Sequence, residues 1–532
     1  MLFISTLSLV VLTSLINNNN ESKKIINRLG LIILIYLLLI NININKIDEI
    51  VIGYNIYNSL LLMTSLNNYM IDIILLIGIL YMFLISFNVT IIKVLDKIIV
   101  MKKSLTLLIL FNIMGLVLLI LVNDLMLLFV VIELQSYSLY LITSLYNESK
   151  NSIKSGLYYF IVGSIGSFII LDGTVSIYED IGLTNIQYIL TYIDKINLYD
   201  MLIILLGLFI KIGLAPFYTY SITIYTLAPT IITNYISLMP KLSILTLILN
   251  IINIINITNN YTNYNINNIL SLFILISMIV GSFGALNVIK FKSLLAYSSL
   301  LNVSYMLLAI ISNNNYSIIS FIFYILQYSL THINIFSIIL LLPLYCNINL
   351  LINNNNNSNN NNYNVMISKY SPVEYINQLK NLYVKNIYLC MALSISIFSL
   401  IGIPPLSGFY GKLLVLTSSL NSGYIFLSIL LIIVSSVSTV YYANIIKVLS
   451  FDALNNYNLF KFNIFNYSIN NIINNLWNKS ELSLYNNNNN IIYMNNSITY
   501  LISVLTLIIA LIIVQYDNIL GGTYLVILNN IF

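Results

Sequence analysis

Fourteen apolar runs, most of them close to 20 residues long, recur along the 532-residue chain. About 20 consecutive apolar residues are needed for an α-helix to cross the hydrocarbon core of a bilayer. Apolar side chains make up 59% of the sequence and the mean hydropathy is +0.92, values that soluble domains do not reach. The sequence therefore predicts an all-α polytopic membrane protein.

We number these runs spans 1 to 14 and expect their limits to hold within about 3 residues. The spans are 2–16, 29–44, 69–91, 104–122, 124–146, 155–177, 198–222, 229–256, 268–288, 293–312, 315–343, 386–420, 423–447 and 497–515. Span 1 is short, and a cleaved signal peptide is the alternative interpretation. Because it lacks a basic leader and an Ala-x-Ala-like cleavage site, we interpret it as a helix.

The cations are distributed unevenly between the loops. Seventeen of the 22 lie in segments that follow odd-numbered spans, Lys290 and Lys292 among them, whereas Lys46 and Lys195 follow even-numbered spans. We call the two sides the lysine-rich face and the lysine-poor face. The positive-inside rule places the lysine-rich face on the cytoplasm-like side, which in a mitochondrion is the matrix. A miscounted span would move the later lysines to the other face, so the asymmetry supports fourteen spans.

Four ionisable side chains lie in the middle of long apolar runs, although only 7% of the residues are charged: Glu133, Lys211, Lys241 and Lys412. A charge at the bilayer centre costs at least about 2.5 kcal/mol unless it is paired or hydrated. Four such residues on separate spans predict a route for protons or other ions. The alternative is a set of structural buried ion pairs.

The single histidine, His332, lies in span 11. An imidazole titrates near neutral pH in water, which suits a proton relay. The alternative is a hydrogen-bonded residue of the helix core.

Prolines interrupt two spans that are five positions apart. Pro216 lies in span 7, and Pro404 and Pro405 lie in span 12. Proline removes an amide donor and clashes with the preceding turn, so both helices are predicted to break. Pro240, directly before Lys241, predicts a further defect. Since five is odd, spans 4–8 and 9–13 would form two inverted five-helix repeats, an arrangement typical of transporters.

These units divide the chain into four predicted segments: 1–103, 104–256, 257–447 with an Asn-rich loop at 351–364, and a polar connector with span 14 at 448–532. Two cysteines, Cys346 and Cys390, are too few for an iron–sulfur or structural zinc site. No glycine-rich phosphate loop follows a strand-like segment, and the cations flank spans rather than form a basic patch. We therefore expect no metal, no nucleotide and no nucleic-acid partner in this chain.

Four motifs resemble a known family. They are VVIELQSYSLY around Glu133, KIGLAPF from Lys211, FKSLLAYSSLLNVSYMLL over 291–308, and GIPPLSGFYGKL, which contains Lys412. From about residue 104 to 447 the chain resembles the antiporter-like membrane subunits of respiratory complex I. Lys412 favours the members that carry lysine rather than glutamate there. The family often has histidine where Asn302 stands.

The resemblance implies a function and a set of roles. Glu133 and Lys211 would pair, Lys241 would be central, and Lys412 would be terminal in a chain of protonatable groups that His332 extends. The chain would translocate protons in the mitochondrial inner membrane, beside other membrane-arm subunits that include further antiporter-like ones. FMN, iron–sulfur clusters and ubiquinone would belong to other subunits, and membrane lipids, cardiolipin among them, would surround the chain. The alternatives are a free-standing cation/proton antiporter and a non-pumping scaffold subunit.

Overall fold

The structure is a computed structural model that describes residues 1–15, 20–44, 53–87, 104–146, 149–189, 198–259, 266–342, 371, 373–380, 382–450, 496–517 and 520–523. Cys346, the Asn-rich loop 351–364 and most of the connector 448–496 lie outside the described residues.

Within these ranges the chain forms 18 α-helices and one two-stranded sheet. The first ten helices are α1 Leu2–Leu15, α2 Asn20–Ile44, α3 Ser65–Phe87, α4 Ser104–Leu121, α5 Leu125–Ser144, α6 Lys150–Ile181, α7 Ile186–Ile189, α8 Leu198–Ile212, α9 Thr219–Leu227 and α10 Thr230–Asn259. The others are α11 Ile266–Phe283, α12 Phe291–Ser312, α13 Asn315–Leu341, α14 Leu382–Lys385, α15 Ile387–Ile401, α16 Ser407–Asn421, α17 Ile425–Ser450 and α18 Asn496–Leu511. The strands are β1 Tyr54–Ile56 and β2 Leu61–Met63.

Every predicted span contains helix, which confirms the all-α membrane fold. Some limits miss the expected margin: α6 begins at Lys150 rather than 155, and α11 ends at Phe283 rather than 288. Among the described helices, 10 are individually long and apolar enough to cross a membrane. Spans 7 and 12 are broken as predicted. Span 7 divides into α8 and α9, and span 12 divides into α15 and α16.

The defect expected at Pro240 does not interrupt its helix. Pro240 lies inside α10, which continues for 30 residues. A proline within a helix removes one donor, and the neighbouring turns can remain intact when surrounding helices hold them. Lys241 therefore projects from a continuous helix, whereas Lys211 and Lys412 lie beside true breaks.

The two five-helix units repeat the same helix pairings. In the first unit α4 packs against α5 and α10, and α6 packs against the broken helix α8–α9. In the second unit α11 packs against α12 and α17, and α13 packs against the broken helix α15–α16. An odd number of spans per unit places the second unit upside down relative to the first.

Loops that the cation asymmetry assigns to the same face contact each other. At the lysine-poor face β1 and β2 pair antiparallel, and isolated bridges join Leu61 to Val122 and Asp124 to Asn185. These contacts gather the segments that follow spans 2, 4 and 6. At the lysine-rich face Lys290 bridges Tyr375, which joins the segments that follow spans 9 and 11.

Three helices form the centre of the molecule. In the most apolar stretches of α10, α12 and α13, 94%, 94% and 89% of the residues are buried, against 39% in α6. Polar side chains on these central helices therefore face protein rather than lipid. Lys241 lies on α10 and His332 on α13.

Candidate proton-transfer site

Glu133 lies on α5, whose first turn is fixed by a side-chain cap. Asp124 Oδ1 accepts hydrogen bonds from the backbone amides of Met126 at 2.9 Å and Leu127 at 3.2 Å. Its other oxygen accepts the hydroxyl of Thr184 at 2.7 Å. A cap of this kind stabilises a helix by about 1 kcal/mol. The cap anchors α5 at the lysine-poor face, and Glu133 follows about two and a half turns later.

Glu133 and Lys211 form a loose ion pair between α5 and α8. Glu133 Oε1 and Lys211 Nζ are 3.7 Å apart, and the side chains are 16% and 5% exposed. That separation exceeds a direct hydrogen bond, and neither atom has a hydrogen-bond partner within the described residues. The two charges therefore attract each other without a fixed geometry.

Lys211 stands at the last turn of α8, directly before the break. Gly213 has φ +80°, a conformation that glycine adopts without steric cost, and its amide donates to the Phe209 carbonyl at 3.0 Å. Tyr220 of α9 donates its hydroxyl to the carbonyls of Ile210 and, at 3.2 Å, Lys211. The carbonyls freed by the break are thus bonded by a side chain of the same broken helix.

A small cavity connects Lys211 to Lys241. Both lysines line it, together with Tyr220, Tyr225 and Pro240. Its volume is about 10 Å³ when measured as the space open to the centre of a water molecule. About 10–15 Å³ on this measure holds one water. A single water can therefore stand between the two lysines.

Each unit has a tight crossing between its first two helices. A Cβ built on Gly115 of α4 would lie 3.2 Å from Gln135 Cα, and one built on Gly281 of α11 would lie 3.0 Å from Leu301 N. Small residues allow helices to approach this closely in membranes. Gln135 of α5 and Leu301 of α12 therefore each lie at a tight crossing between the first two helices of their unit.

Two residues before these contacts stand Glu133 in the first unit and Ser299 in the second. Each faces a buried lysine: Glu133 pairs with Lys211, and Ser299 Oγ accepts a hydrogen bond of 2.9 Å from Lys241 Nζ. Lys241 is 6% exposed and has no ion-pair partner among the described carboxylates. Its ammonium also lies 5.4 Å from the ring centre of Tyr225. Lys241 thus contacts neutral groups, whereas Lys211 contacts a charged carboxylate.

His332 lies where the two units meet. Its Nε2 is 3.0 Å from the hydroxyl of Ser237, which belongs to α10 one turn before Lys241. The imidazole packs between the rings of Tyr328 and Phe336, at centroid distances of 5.5 and 4.7 Å. Nδ1 is buried without a hydrogen-bond partner in the described part of the chain. The histidine therefore has one nitrogen available for a further proton contact.

Lys412 closes the break of span 12. Its Nζ donates to the carbonyl of Ile401, the last residue of α15, at 2.7 Å. A cation is favourable at the carbonyl end of a helix. Lys412 Nζ also lies 6.0 Å from the ring centre of Tyr305, and the Tyr305 ring packs edge-on against Tyr324. Tyr324 donates its hydroxyl to Asn302 at 2.8 Å.

The structure brings some of the predicted residues into contact and leaves others apart. Glu133 and Lys211 are in contact, Lys211 and Lys241 share a cavity, and His332 reaches α10 one turn from Lys241. The recorded contacts of Lys412 are with Ile401 and Tyr305 rather than with another member of the set. The proton-carrying roles of all five stay a prediction.

Sequence reasoning missed two groups of this site and misplaced one of them. Ser299 carries no signal of its own in a serine-rich helix. Lys292 was expected in a loop, and this is wrong: it lies in the first turn of α12 and is 5% exposed. The predicted start at 293 is two residues too late, and burial depends on helix packing that the local sequence does not specify. The motif FKSLLAYSSL, with one lysine inside an apolar helix start, was the available signal.

Comparisons with known proteins place this geometry in a family. The family model described as NADH:quinone oxidoreductase/Mrp antiporter, membrane-spanning region, matches residues 122–439. The NADH-ubiquinone oxidoreductase chain 2 of Rhizopus oryzae is 32% identical over 446 residues, which covers 80% of this chain and 81% of that protein. The chain 2 of Wickerhamomyces canadensis is 49% identical over 320 residues, 57% of this chain and 53% of that one.

A solved structure supports the same fold. One chain of respiratory complex I from Thermus thermophilus superposes with a TM-score of 0.66 at 18% identity, and the match covers 97% of each chain. The sequence match, the repeated units and the buried lysines all indicate the same family. This chain belongs to the NADH:quinone oxidoreductase/Mrp antiporter family of membrane proteins, within which it groups with NADH-ubiquinone oxidoreductase chain 2.

Proposed function

We propose that this chain is the proton-translocating antiporter-like subunit of respiratory complex I in the mitochondrial inner membrane. The relatives carry the name of a chain of NADH-ubiquinone oxidoreductase. Among the described residues, no group of three or more histidine, cysteine or carboxylate side chains could hold a metal ion. Other subunits would hold FMN, the iron–sulfur clusters and ubiquinone, and this chain would carry out the proton step.

The observation that carries this proposal is the buried line of Glu133, Lys211, the shared cavity and Lys241. At an effective dielectric constant of about 20, unit charges about 4 Å apart attract by about 4 kcal/mol. If Lys211 turns away from Glu133 toward the cavity, it loses this attraction and faces Lys241 instead. A proton on Lys241 then becomes less favourable and moves on toward His332. The loose 3.7 Å contact allows such a movement.

The partners follow from this role. The chain would pack beside further antiporter-like subunits of the membrane arm, so that Lys412 at one end of the line approaches a neighbouring subunit. Its apolar outer helices would contact membrane lipids, cardiolipin included. Many large side chains of α6 are exposed in the isolated chain, for example Phe168 at 66%.

The test is Lys241→Ala in the assembled complex, purified and placed in liposomes. We expect NADH oxidation to continue while fewer protons are translocated per NADH. Lys447→Ala, which removes an exposed lysine at the end of α17, is the matched control and should leave the ratio unchanged. An assembled Lys241→Ala enzyme that pumps normally would contradict the mechanism and leave the scaffold role.

A free-standing cation/proton antiporter is the second candidate, because the matching family model covers both classes. The two are separated by purification in mild detergent. Recovery with an NADH-oxidising assembly supports the complex I subunit, whereas recovery alone, with antiport activity in vesicles, supports the antiporter.

A further inference from the structure

Lys292 is a buried ionisable residue to which the proposed line gives no role. It lies in the first turn of α12 at the lysine-rich face and is 5% exposed. Lys290, two residues earlier, is exposed. The chain therefore keeps one lysine of this pair in water and places the other inside the protein.

The contacts of Lys292 are short and neutral. Its Nζ donates to the carbonyl of Ala228 and to the hydroxyl of Ser371, both at 2.6 Å. Ala228 follows α9, and Ser371 precedes α14, so the ammonium stands where segments after spans 7, 9 and 11 meet. The amino end of α12 disfavours a cation there, while the carboxyl end of α9 favours one. No described carboxylate lies within ion-pair distance of Lys292, although the negative charge of Glu374, three residues after Ser371, favours the ammonium from further away.

The same residue reaches the interior. Lys292 lines a cavity with Thr233, Ser237, Phe336 and His332. The cavity measures about 10 Å³ as the space open to the centre of a water molecule, room for one water. Two protonatable side chains, one at the lysine-rich face and one at the junction of the units, thus share one water-sized space.

We propose that Lys292 is a further proton-carrying residue of this chain and the opening of the buried line toward the lysine-rich face. This rests on the proton-translocating function proposed above. The amine of Lys292 takes one proton from the aqueous side and becomes an ammonium. The ammonium then passes a proton through one water to the imidazole of His332, which becomes an imidazolium. Only N–H and O–H bonds are made and broken in this transfer.

A purely structural role predicts something different. As a clamp between three segments, Lys292 would need only a cation with several donors, which arginine also supplies. Arginine does not release its proton in proteins. Lys292→Arg therefore keeps the clamp and removes the proton transfer, and the two roles separate in one variant.

The experiment compares four variants of the assembled complex in liposomes: Lys292→Arg, Lys292→Met, Lys290→Met and Lys241→Ala. We expect Lys292→Arg to lower the number of protons translocated per NADH by the same fraction as Lys241→Ala. Lys290→Met should match the unsubstituted enzyme. Lys292→Met should lose assembly as well, because two buried oxygens lose their donor.

Every other outcome contradicts either the role of Lys292 or the proposed function. A normal ratio in Lys292→Arg with a lowered ratio in Lys241→Ala overturns the role of Lys292 and leaves the proposed function standing. Normal ratios in both variants overturn the proposed function itself. If Lys292→Arg does not assemble although Lys290→Met does, Lys292 is assigned to packing and the inference is also overturned.

Discussion

At the scale of single residues, the molecule gives its buried lysines different neighbours. Lys211 has a carboxylate, Lys241 a hydroxyl and an aromatic ring, and Lys412 a helix carbonyl. A carboxylate stabilises the ammonium most, since it alone offers a full opposite charge. The ammonium of Lys211 is thus stabilised by a full opposite charge, and those of Lys241 and Lys412 are stabilised by dipoles.

The charge pair predicts a non-additive result. Breaking a buried ion pair by removing one partner costs about 3–5 kcal/mol, because a charge is left uncompensated. Glu133→Gln and Lys211→Met should each reduce the amount of assembled complex, measured by native electrophoresis. The double variant should assemble better than either single variant, yet translocate fewer protons per NADH than the unsubstituted enzyme. Losses that simply add would show that the two side chains do not act as a pair.

At the scale of elements, the break in span 7 depends on one backbone conformation. Gly213 has φ +80°, and a Cβ there would lie 2.8 Å from Ser221 Cβ. Gly182 at the end of α6 has φ +76° with nothing within 4 Å of such a Cβ. The two glycines therefore carry similar backbone strain on substitution but differ in steric overlap.

This difference predicts the effects of alanine at each position. A left-handed conformation costs a non-glycine residue about 1–2 kcal/mol. Gly182→Ala should lower the thermal stability of the complex by about that cost and leave proton translocation intact. Gly213→Ala should be more destabilising and should also lower the number of protons per NADH, because α9 and the adjoining Lys211 must shift. Equal behaviour of the two variants would disprove a positioning role for the break.

The elements also show what could be predicted from sequence. Span lengths follow from the thickness of the bilayer, and the breaks follow from Pro216 and from the pair Pro404 and Pro405. Pro240 was misleading, since the packing of α10 between α12 and α13 keeps the helix continuous. The partners of Lys241 and Lys292 come from other helices, so only the folded arrangement reveals them.

At the scale of the whole molecule, the faces of the membrane are distinguished by charge. Tyr57 in the β1–β2 turn is 74% exposed at the lysine-poor face, and Ile289 before α12 is 65% exposed at the lysine-rich face. The positive-inside rule assigns these to opposite compartments.

Thiol labelling tests that assignment. An impermeant maleimide should label a Tyr57→Cys variant in mitochondria with a permeabilised outer membrane, and should label Ile289→Cys only in inverted inner-membrane vesicles. The unsubstituted chain, whose described cysteine Cys390 is buried, reports the background. Labelling of both variants from one side would overturn the topology.

The loops of the lysine-poor face are joined mainly by amides and hydroxyls. Asn55 donates to Gln187 at 3.3 Å, Asn123 donates to Gln187 at 3.2 Å, and Asn185 donates to the Ser59 carbonyl at 2.9 Å. Mobile ions screen interactions between exposed charges, with a Debye length of about 8 Å at physiological ionic strength. Hydrogen bonds between neutral groups carry no net charge to screen. The hydrogen bonds that join the loops after spans 2, 4 and 6 should therefore keep their strength when the salt concentration of the adjoining compartment changes.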